Sequence, residues 1–339
     1  MTPPGARGAG PPLVAIGASA GGIEALRVVL PSLPANFPAA VAVVVHRPAV
    51  QEGERLTVVL ARNSHLRVTT ARDRGPIEAG RVYVGPAGVH LVAEAGQLHL
   101  SNSARENAAR PAIDVLFRSA ASAFGPRAVG VVLSGMLDDG TAGLAAIKAR
   151  GGVAIVQDPA EAIFSDMPRN AIENVTVDAV VPAAEVGAVL QHFVDRIATA
   201  PHPMPSSAGR NRMEASRFSC PDCGGVLSEI DADGVLAFRC RVGHAYSPRV
   251  LFTEQEQSLE AALWTALRVL DERHEMSVRL GERARERGLH AAAAHFEQQA
   301  EVARQRAEVV RAAIDSPEVT IEAATAAGEV DDQAAMGSG

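Results

Sequence analysis

The chain has 339 residues, a formal net charge of −7, 47% hydrophobic and 21% charged residues, and only 4% aromatics. That length suits about two domains, and the acid excess argues against nucleic acid as a partner, since non-specific binding needs basic stripes that displace phosphate counterions. No uncharged apolar run approaches the ~20 residues of a spanning helix, so membrane insertion is not expected.

Residues 1–12 are rich in Gly and Pro and lack the long apolar segment of a signal peptide, so they predict a disordered leader and a cytoplasmic protein. From 13 to 198, short β-branched runs alternate with helical patterns, the signature of an α/β domain. Strands are predicted at Leu13–Gly17, Ala40–Val45, Val82–Val84, Ala128–Leu133 and Val153–Val156. They are apolar at nearly every position, as parallel strands covered on both faces must be. Helices are predicted at Ile23–Leu33, Ile113–Ala123, Thr141–Ala149 and Ala184–Arg196, with hairpins between 66 and 100. The expected fold is a doubly wound, three-layer α/β/α arrangement around a mostly parallel sheet. Residues 199–216 form a Pro/Ser/Gly linker. A small cysteine module follows at 217–248, then a helical segment at 249–314 with Leu259, Leu263, Leu267 and Leu270 on one broad face. Gly288 is expected to split that segment into a helical hairpin, a candidate for homo-oligomer contacts or partner docking. Residues 315–339 read as an acidic, disordered tail.

The three cysteines all fall in the module. Cys220-Pro-Asp-Cys223 is a Cys-x₂-Cys turn, and Cys240-Arg-Val-Gly-His244 supplies a third thiol and an imidazole. Four such ligands in two short turns match a closed tetrahedral zinc site with a structural role, in a zinc-ribbon-like module with a hairpin at Asp233-Gly234. A segment this small has little core of its own and would need the metal to fold. The bland alternative is three unpaired thiols and a surface histidine.

Gly17-Ala18-Ser19-Ala20-Gly21-Gly22 joins the first strand to the first helix, where N–H groups are unsatisfied and the helix dipole favours developing negative charge. Taken alone, this pattern reads equally well as an ordinary strand–helix turn. His46 closes the second strand, and Asp138-Asp139-Gly140 lies just beyond the fourth. In an open parallel sheet all carboxyl ends share one edge, where ligands bind, so Ser19, His46 and Asp139 could meet there. The set is chemically complete: a serine needs a base to become nucleophilic, and an imidazole needs a carboxylate to fix its tautomer. Asp138 is a local competitor for the carboxylate role. Backbone N–H groups at Ala20–Gly22 and around Met136 are candidates for an oxyanion hole. Such catalysis calls for no cofactor.

Several segments carry a family resemblance. Leu13–Gly22 with Ile23-Glu24-Ala25-Leu26, Val43-Val44-Val45-His46-Arg47-Pro48, Val82-Tyr83-Val84-Gly85-Pro86 with His90, Arg110-Pro111-Ala112-Ile113-Asp114-Val115-Leu116-Phe117, Gly135-Met136-Leu137-Asp138-Asp139-Gly140 and Met167-Pro168-Arg169-Asn170-Ala171 occur in this order across 13–198. Together they resemble the catalytic domain of the CheB-type protein-glutamate methylesterases. The resemblance implies hydrolysis of glutamate methyl esters on methyl-accepting chemoreceptors, with glutamine deamidation as a second reaction. Ser19 would be the nucleophile, His46 the base and Asp139 its orienting acid. The chain departs from the family pattern at Ala20, at Leu137 where glycine is common, and at Ala109, which puts substrate fit in question more than catalysis. Many members begin with a receiver domain, whereas twelve residues precede the catalytic part here, so phosphorylation control within the chain is not expected. Competing readings are an α/β-hydrolase acting on small or lipid esters, which would need a later base such as His192, and a non-catalytic signalling scaffold.

Overall fold

The computed structural model describes residues 10–47, 53–62, 64–94, 96–199 and 213–315. The expectations for most of the leader, for the centre of the linker, for the tail and for Pro48 lie outside them. The chain divides into two compact units, Met1–Glu254 and Gln255–Gly339.

In the first unit β1 (Leu13–Ala18), α1 (Gly22–Val29), β2 (Ala40–Val45), α2 (Gly53–Ala61), β3 (Arg67–Thr70), β4 (Gly75–Pro76) and β5 (Arg81–Val84) come first. They are followed by β6 (His90–Glu94), β7 (Gln97–Ser101), α3 (Ile113–Phe124), β8 (Ala128–Val132), α4 (Thr141–Ala149), β9 (Val153–Gln157), α5 (Asp166–Asn174), β10 (Ala179–Val181) and α6 (Ala183–Thr199). Seven strands form one sheet in the order β10-β9-β8-β1-β2-β5-β3. Every pairing in it is parallel. The expected doubly wound α/β fold is what the structure shows.

Its helices lie on both faces because β1, β2 and β8 are buried at every position, leaving apolar side chains on each side to cover. One core gathers residues of α3, α4 and α5, including Ile113, Phe117, Leu144 and Met167. The opposite core gathers residues of α1, α2 and α6, including Leu26, Leu56 and Leu190. The order in which strands are added reverses about β1, which sits between β2 and β8, and this is the switch point where such sheets bind ligands.

Four details differ from the sequence expectations. Helix α1 stops at Val29 and gives way to a 3₁₀ turn at Leu30–Ser32, because Pro31 has no N–H for the α-helical ladder. Arg67–Thr70 is no hairpin strand but the parallel edge strand β3, whereas His90–Ser101 does form the expected hairpin. Helices α2 and α5 were not anticipated: α2 is rich in β-branched residues, and α5 carries Pro168 in its first turn, where a missing N–H costs nothing. The short strand β10 was not anticipated either.

A second sheet of the first unit is antiparallel, in the order β11 (Met213–Ser219), β12 (Val226–Ala232), β13 (Val235–Cys240) and β14 (Ala245–Tyr246). Asp233 and Gly234, both with positive φ, make the two-residue β12–β13 turn. Helix α7 (Pro248–Glu286) opens in this unit.

The second unit pairs the rest of α7 with α8 (His290–Asp315), and the break between them includes Gly288. Ala293, Ala300, Ala303 and Ala307 are buried, and His274 Nδ1 lies 2.9 Å from the Ala300 carbonyl. Of the expected leucine face, Leu267 is buried but Leu259 is 59% exposed, so the stripe is not a continuous seam. Among the described residues no helix is long and apolar enough to cross a membrane.

Candidate active site and cysteine cluster

Strand register brings the first two predicted residues side by side. Ala18 pairs with Val45, so Ser19 and His46 leave adjacent strands at the same level, and the His46 N–H donates to the Ala18 carbonyl at 3.1 Å. On the other side of β1, Leu133 donates to Gly17 at 2.9 Å and Ser19 donates to Ser134 at 3.0 Å. The segment 133–140 therefore runs along the Ser19 turn. Among the described residues no hydrogen bond joins Ser19 Oγ to His46.

His46 and Asp139 meet directly, with Nε2 2.7 Å from Oδ2. The imidazole is 21% exposed and the carboxylate 2%. With Nε2 given to Asp139, Nδ1 is the nitrogen left to take a proton. Asp139 is held by three further donors: Ile113 N–H at 2.6 Å on Oδ2, and Asn107 Nδ2 at 2.9 Å and Asp114 N–H at 3.1 Å on Oδ1. Two of these N–H groups open α3, whose dipole favours a negative charge at that end. Burial works to raise the Asp139 carboxyl, but its bonds to His46, Ile113 and Asn107 outweigh burial and hold it below the ordinary carboxylate range. Asp138 is spoken for elsewhere: its Oδ1 accepts the Ser247 hydroxyl at 2.6 Å. Burial raises its pKa.

The Ser19 turn is tightly fixed. Gly21 has φ 70, a left-handed conformation that suits glycine. Ser134 Oγ donates to the Ala20 carbonyl at 2.8 Å and accepts the Phe164 N–H at 2.9 Å. Gly22 cannot serve an oxyanion as expected, since its N–H donates to the Ser19 carbonyl at 3.0 Å. The N–H groups of Ala20, Gly21 and Met136 have no acceptor among the described residues, so they are open to a substrate oxygen. His192, the base of the competing hydrolase reading, is exposed on α6 with its ring against Phe193.

A cleft of about 460 Å³ opens beside His46, lined also by Arg47, Arg105, Asn107 and Arg110. Arg47 donates to the Gly85 carbonyl at 2.7 Å. It meets no carboxylate among the described residues, and burial lowers its pKa. The cleft is thus cationic and suited to acidic groups.

Cys220, Cys223, Cys240 and His244 converge, each with one ligand atom within 4.8 Å of the others. Cys220 Sγ and Cys240 Sγ lie 3.6 and 3.5 Å from His244 Nδ1, and Cys223 Sγ lies 3.7 Å from Cys240 Sγ. A tetrahedral zinc ion with bonds of about 2.3 Å to sulfur sets ligands about 3.5–3.8 Å apart, so these residues fit the ion. An Asp222 carboxylate oxygen lies 4.0 Å from His244 Nε2 and accepts the Tyr246 hydroxyl at 2.6 Å.

Sequence reasoning did not find Asn107 or Ser134, and it did not find Ser247, whose N–H donates to Asn107 Oδ1 at 2.8 Å. Ser247-Pro248 is a legible helix start, but nothing local tells which loop it touches. Leu137, where the family pattern commonly has glycine, has a structural role here. Its φ is 61, a conformation costing an L-residue about 1–2 kcal/mol. Its side chain packs on the module core of Leu227, Phe238, Tyr246 and Val250, which offsets that strain.

Fold and rim chemistry together define an α/β hydrolytic enzyme, with Ser19, His46 and Asp139 at the carboxyl edge of a parallel sheet. Residues 14–190 match the CheB methylesterase family. A Leptospira interrogans protein with the provisional name protein-glutamate methylesterase/protein-glutamine glutaminase is 38% identical over 174 residues, 51% of this chain and 90% of that one. The protein-glutamate methylesterase FrzG of Myxococcus xanthus is 40% identical over 187 residues, 54% of this chain and 55% of FrzG. The crystal structure of the Thermotoga maritima CheB methylesterase catalytic domain superposes with a TM-score of 0.52 at 34% identity, covering 54% of this chain and 98% of that one. The chain belongs to the CheB methylesterase family.

Proposed function

We infer that this chain is a protein-glutamate methylesterase that also deamidates glutamine side chains, with Ser19 as nucleophile, His46 as base and Asp139 as orienting acid. The observation that carries this reading is the 2.7 Å contact between His46 Nε2 and a buried Asp139, formed one strand away from Ser19.

Ser19 Oγ attacks the ester carbonyl of a glutamate methyl ester while His46 Nδ1 takes its proton. General-base help of this kind is worth about 10²–10⁴ in rate. Free N–H groups at Ala20, Gly21 and Met136 donate to the oxyanion of the tetrahedral intermediate, where each lost donor typically costs about 10²–10³. His46 returns the proton to the departing methoxide, which leaves as methanol. Water then attacks the acyl-serine, His46 takes its proton and passes it to Ser19, and glutamate is released. With a glutamine substrate the leaving group is ammonia.

The cationic cleft suits a substrate segment that carries carboxylates, as a methylated chemoreceptor-type signalling protein would after partial hydrolysis. Cys220, Cys223, Cys240 and His244 would hold a structural zinc ion, which would cross-link the module and take no part in the chemistry. The residue order Ser, His, Asp sets this chain apart from the α/β-hydrolases, whose acid precedes the histidine. A decisive test combines fluorophosphonate labelling with methanol release from methylated receptor fragments, in the wild type and in Ser19→Ala. Labelling at Ser19 and methanol release, both lost in Ser19→Ala, are expected. Folded wild type that neither labels nor releases methanol would point to a scaffold.

A further inference from the structure

The module's hydrogen bonds converge on the loop that holds Asp139. Asn107, 7% exposed, uses both hydrogens of its amide on buried carboxylates, Asp139 Oδ1 at 2.9 Å and Asp114 Oδ2 at 3.0 Å. Its amide oxygen accepts the Ser247 N–H at 2.8 Å, and its backbone N–H donates to the Ala245 carbonyl at 2.7 Å. Ala245 donates back to the Arg105 carbonyl at 3.3 Å. Two residues of the module thus grip Asn107 from main chain and side chain alike. Ala245 directly follows His244, whose carbonyl accepts the Cys240 N–H at 3.0 Å, so the grip begins at the cysteine cluster itself.

Several features show that this contact is built rather than incidental. Asn107 and Ala108 have φ values of 50 and 57, so the loop is held in a left-handed conformation that L-residues adopt at a cost. Ala108, next to Asn107, and Leu137, two residues before Asp139, both pack against the module core around Cys220, Phe238 and Tyr246. Ser247 also holds Asp138, next to Asp139. Removing the module would leave the Asn107 carbonyl oxygen and N–H without these partners and release both loops.

We propose that Asn107 is a positioning residue that sets the Asp139 carboxylate behind His46, and that the cysteine module holds Asn107 in place, so that its metal-cross-linked fold governs the esterase rate. The proposal rests on the esterase reading for its kinetic arm only.

The full-length chain is compared with Asn107→Gly, each before and after zinc is stripped with a chelator. Glycine accepts the left-handed backbone and keeps the N–H to Ala245, so this variant removes the amide alone. The expected result for Asn107→Gly is a fall in kcat of about 10–100-fold at an unchanged KM, the range typical of lost outer partners. Chelation should lower wild-type kcat comparably and lower Asn107→Gly much less, because both changes break one linkage. Amide exchange is read in the same samples, and it does not depend on turnover. The Asn107 and Ala245 amides should lose protection on chelation while the amides of β1 and β8 keep theirs. Unchanged exchange at those two amides, wild-type kcat in Asn107→Gly, or equal chelation losses in both proteins would each overturn the proposal. Absence of Ser19 labelling in untreated wild type would instead count against the esterase reading.

Discussion

Asp139 Oδ2 is shared between His46 and the Ile113 N–H, at 2.7 and 2.6 Å, so one oxygen orients the imidazole while closing the open end of α3. The carboxylate therefore both holds the imidazole and caps the helix, and the same donors that lower its pKa keep it ionised next to the histidine. Asp114 shows the opposite outcome a few ångströms away: burial and the Asp139 charge raise its carboxyl well above the ordinary range.

Replacing Asp139 by Asn tests this arrangement chemically. The amide cannot stabilise the imidazolium and presents a donor where His46 needs an acceptor, so kcat should fall about 10³–10⁴-fold with KM little changed. Steady-state methanol release measures both constants.

The same group makes a prediction about acid stability. A carboxyl whose folded pKa is depressed contributes stability that is fully present above its unfolded value, about 3.9, and that is lost as pH falls through the folded value. The stability gap between wild type and Asp139→Asn, read from urea midpoints, should hold constant from neutral pH down to about pH 5 and narrow below about pH 4. A gap that widened on acidification would contradict the depressed pKa.

Gly135 keeps the Ser19 turn clear by its lack of a side chain. A methyl group there would lie 2.8 Å from Ser19 Cβ and would overlap Met167 Sδ. Gly135→Ala should displace Ser19 and cost about 10² in kcat, the scale of an ångström-level misplacement. Adding Met167→Ala should recover stability in thermal melts but little of the rate, since the serine contact remains.

Arg105 lines the cleft beside His46 from an exposed position, so its role is electrostatic. Arg105→Glu should raise KM for an acidic receptor fragment by about 3–10-fold, leave kcat unchanged, and lose most of its effect at about 1 M salt, where screening shortens to about 3 Å. Equal KM values at low salt in the two proteins would show that the cleft does not read substrate charge.

Much of the fold was legible locally. Val41-Ala42-Val43-Val44-Val45 can be little other than a covered strand, and Ser19, His46 and Asp139 could each be placed after such a strand. Spacing alone left Asp138 beside Asp139 in the same turn, and the family resemblance favoured Asp139; in the structure Asp139 meets His46 while Asp138 is bound to Ser247, more than a hundred residues further on. Nor could it show that Gly22 spends its N–H on Ser19, since that depends on how the turn closes. Arg67–Thr70 was misread as a hairpin strand because a short edge strand carries no sign of its partner's direction.

The sequence by itself determined the parallel α/β sheet, the three residues gathered at its rim and the four residues of the cysteine cluster. Each of these follows from a period, a spacing or a side-chain chemistry written within a few residues. Only the tertiary structure decided that Asn107 ties Asp139 to the module through Ala245 and Ser247. Those bonds join segments 32 and 140 residues apart, and a hydrogen bond between distant segments leaves no periodicity in the chain that makes it.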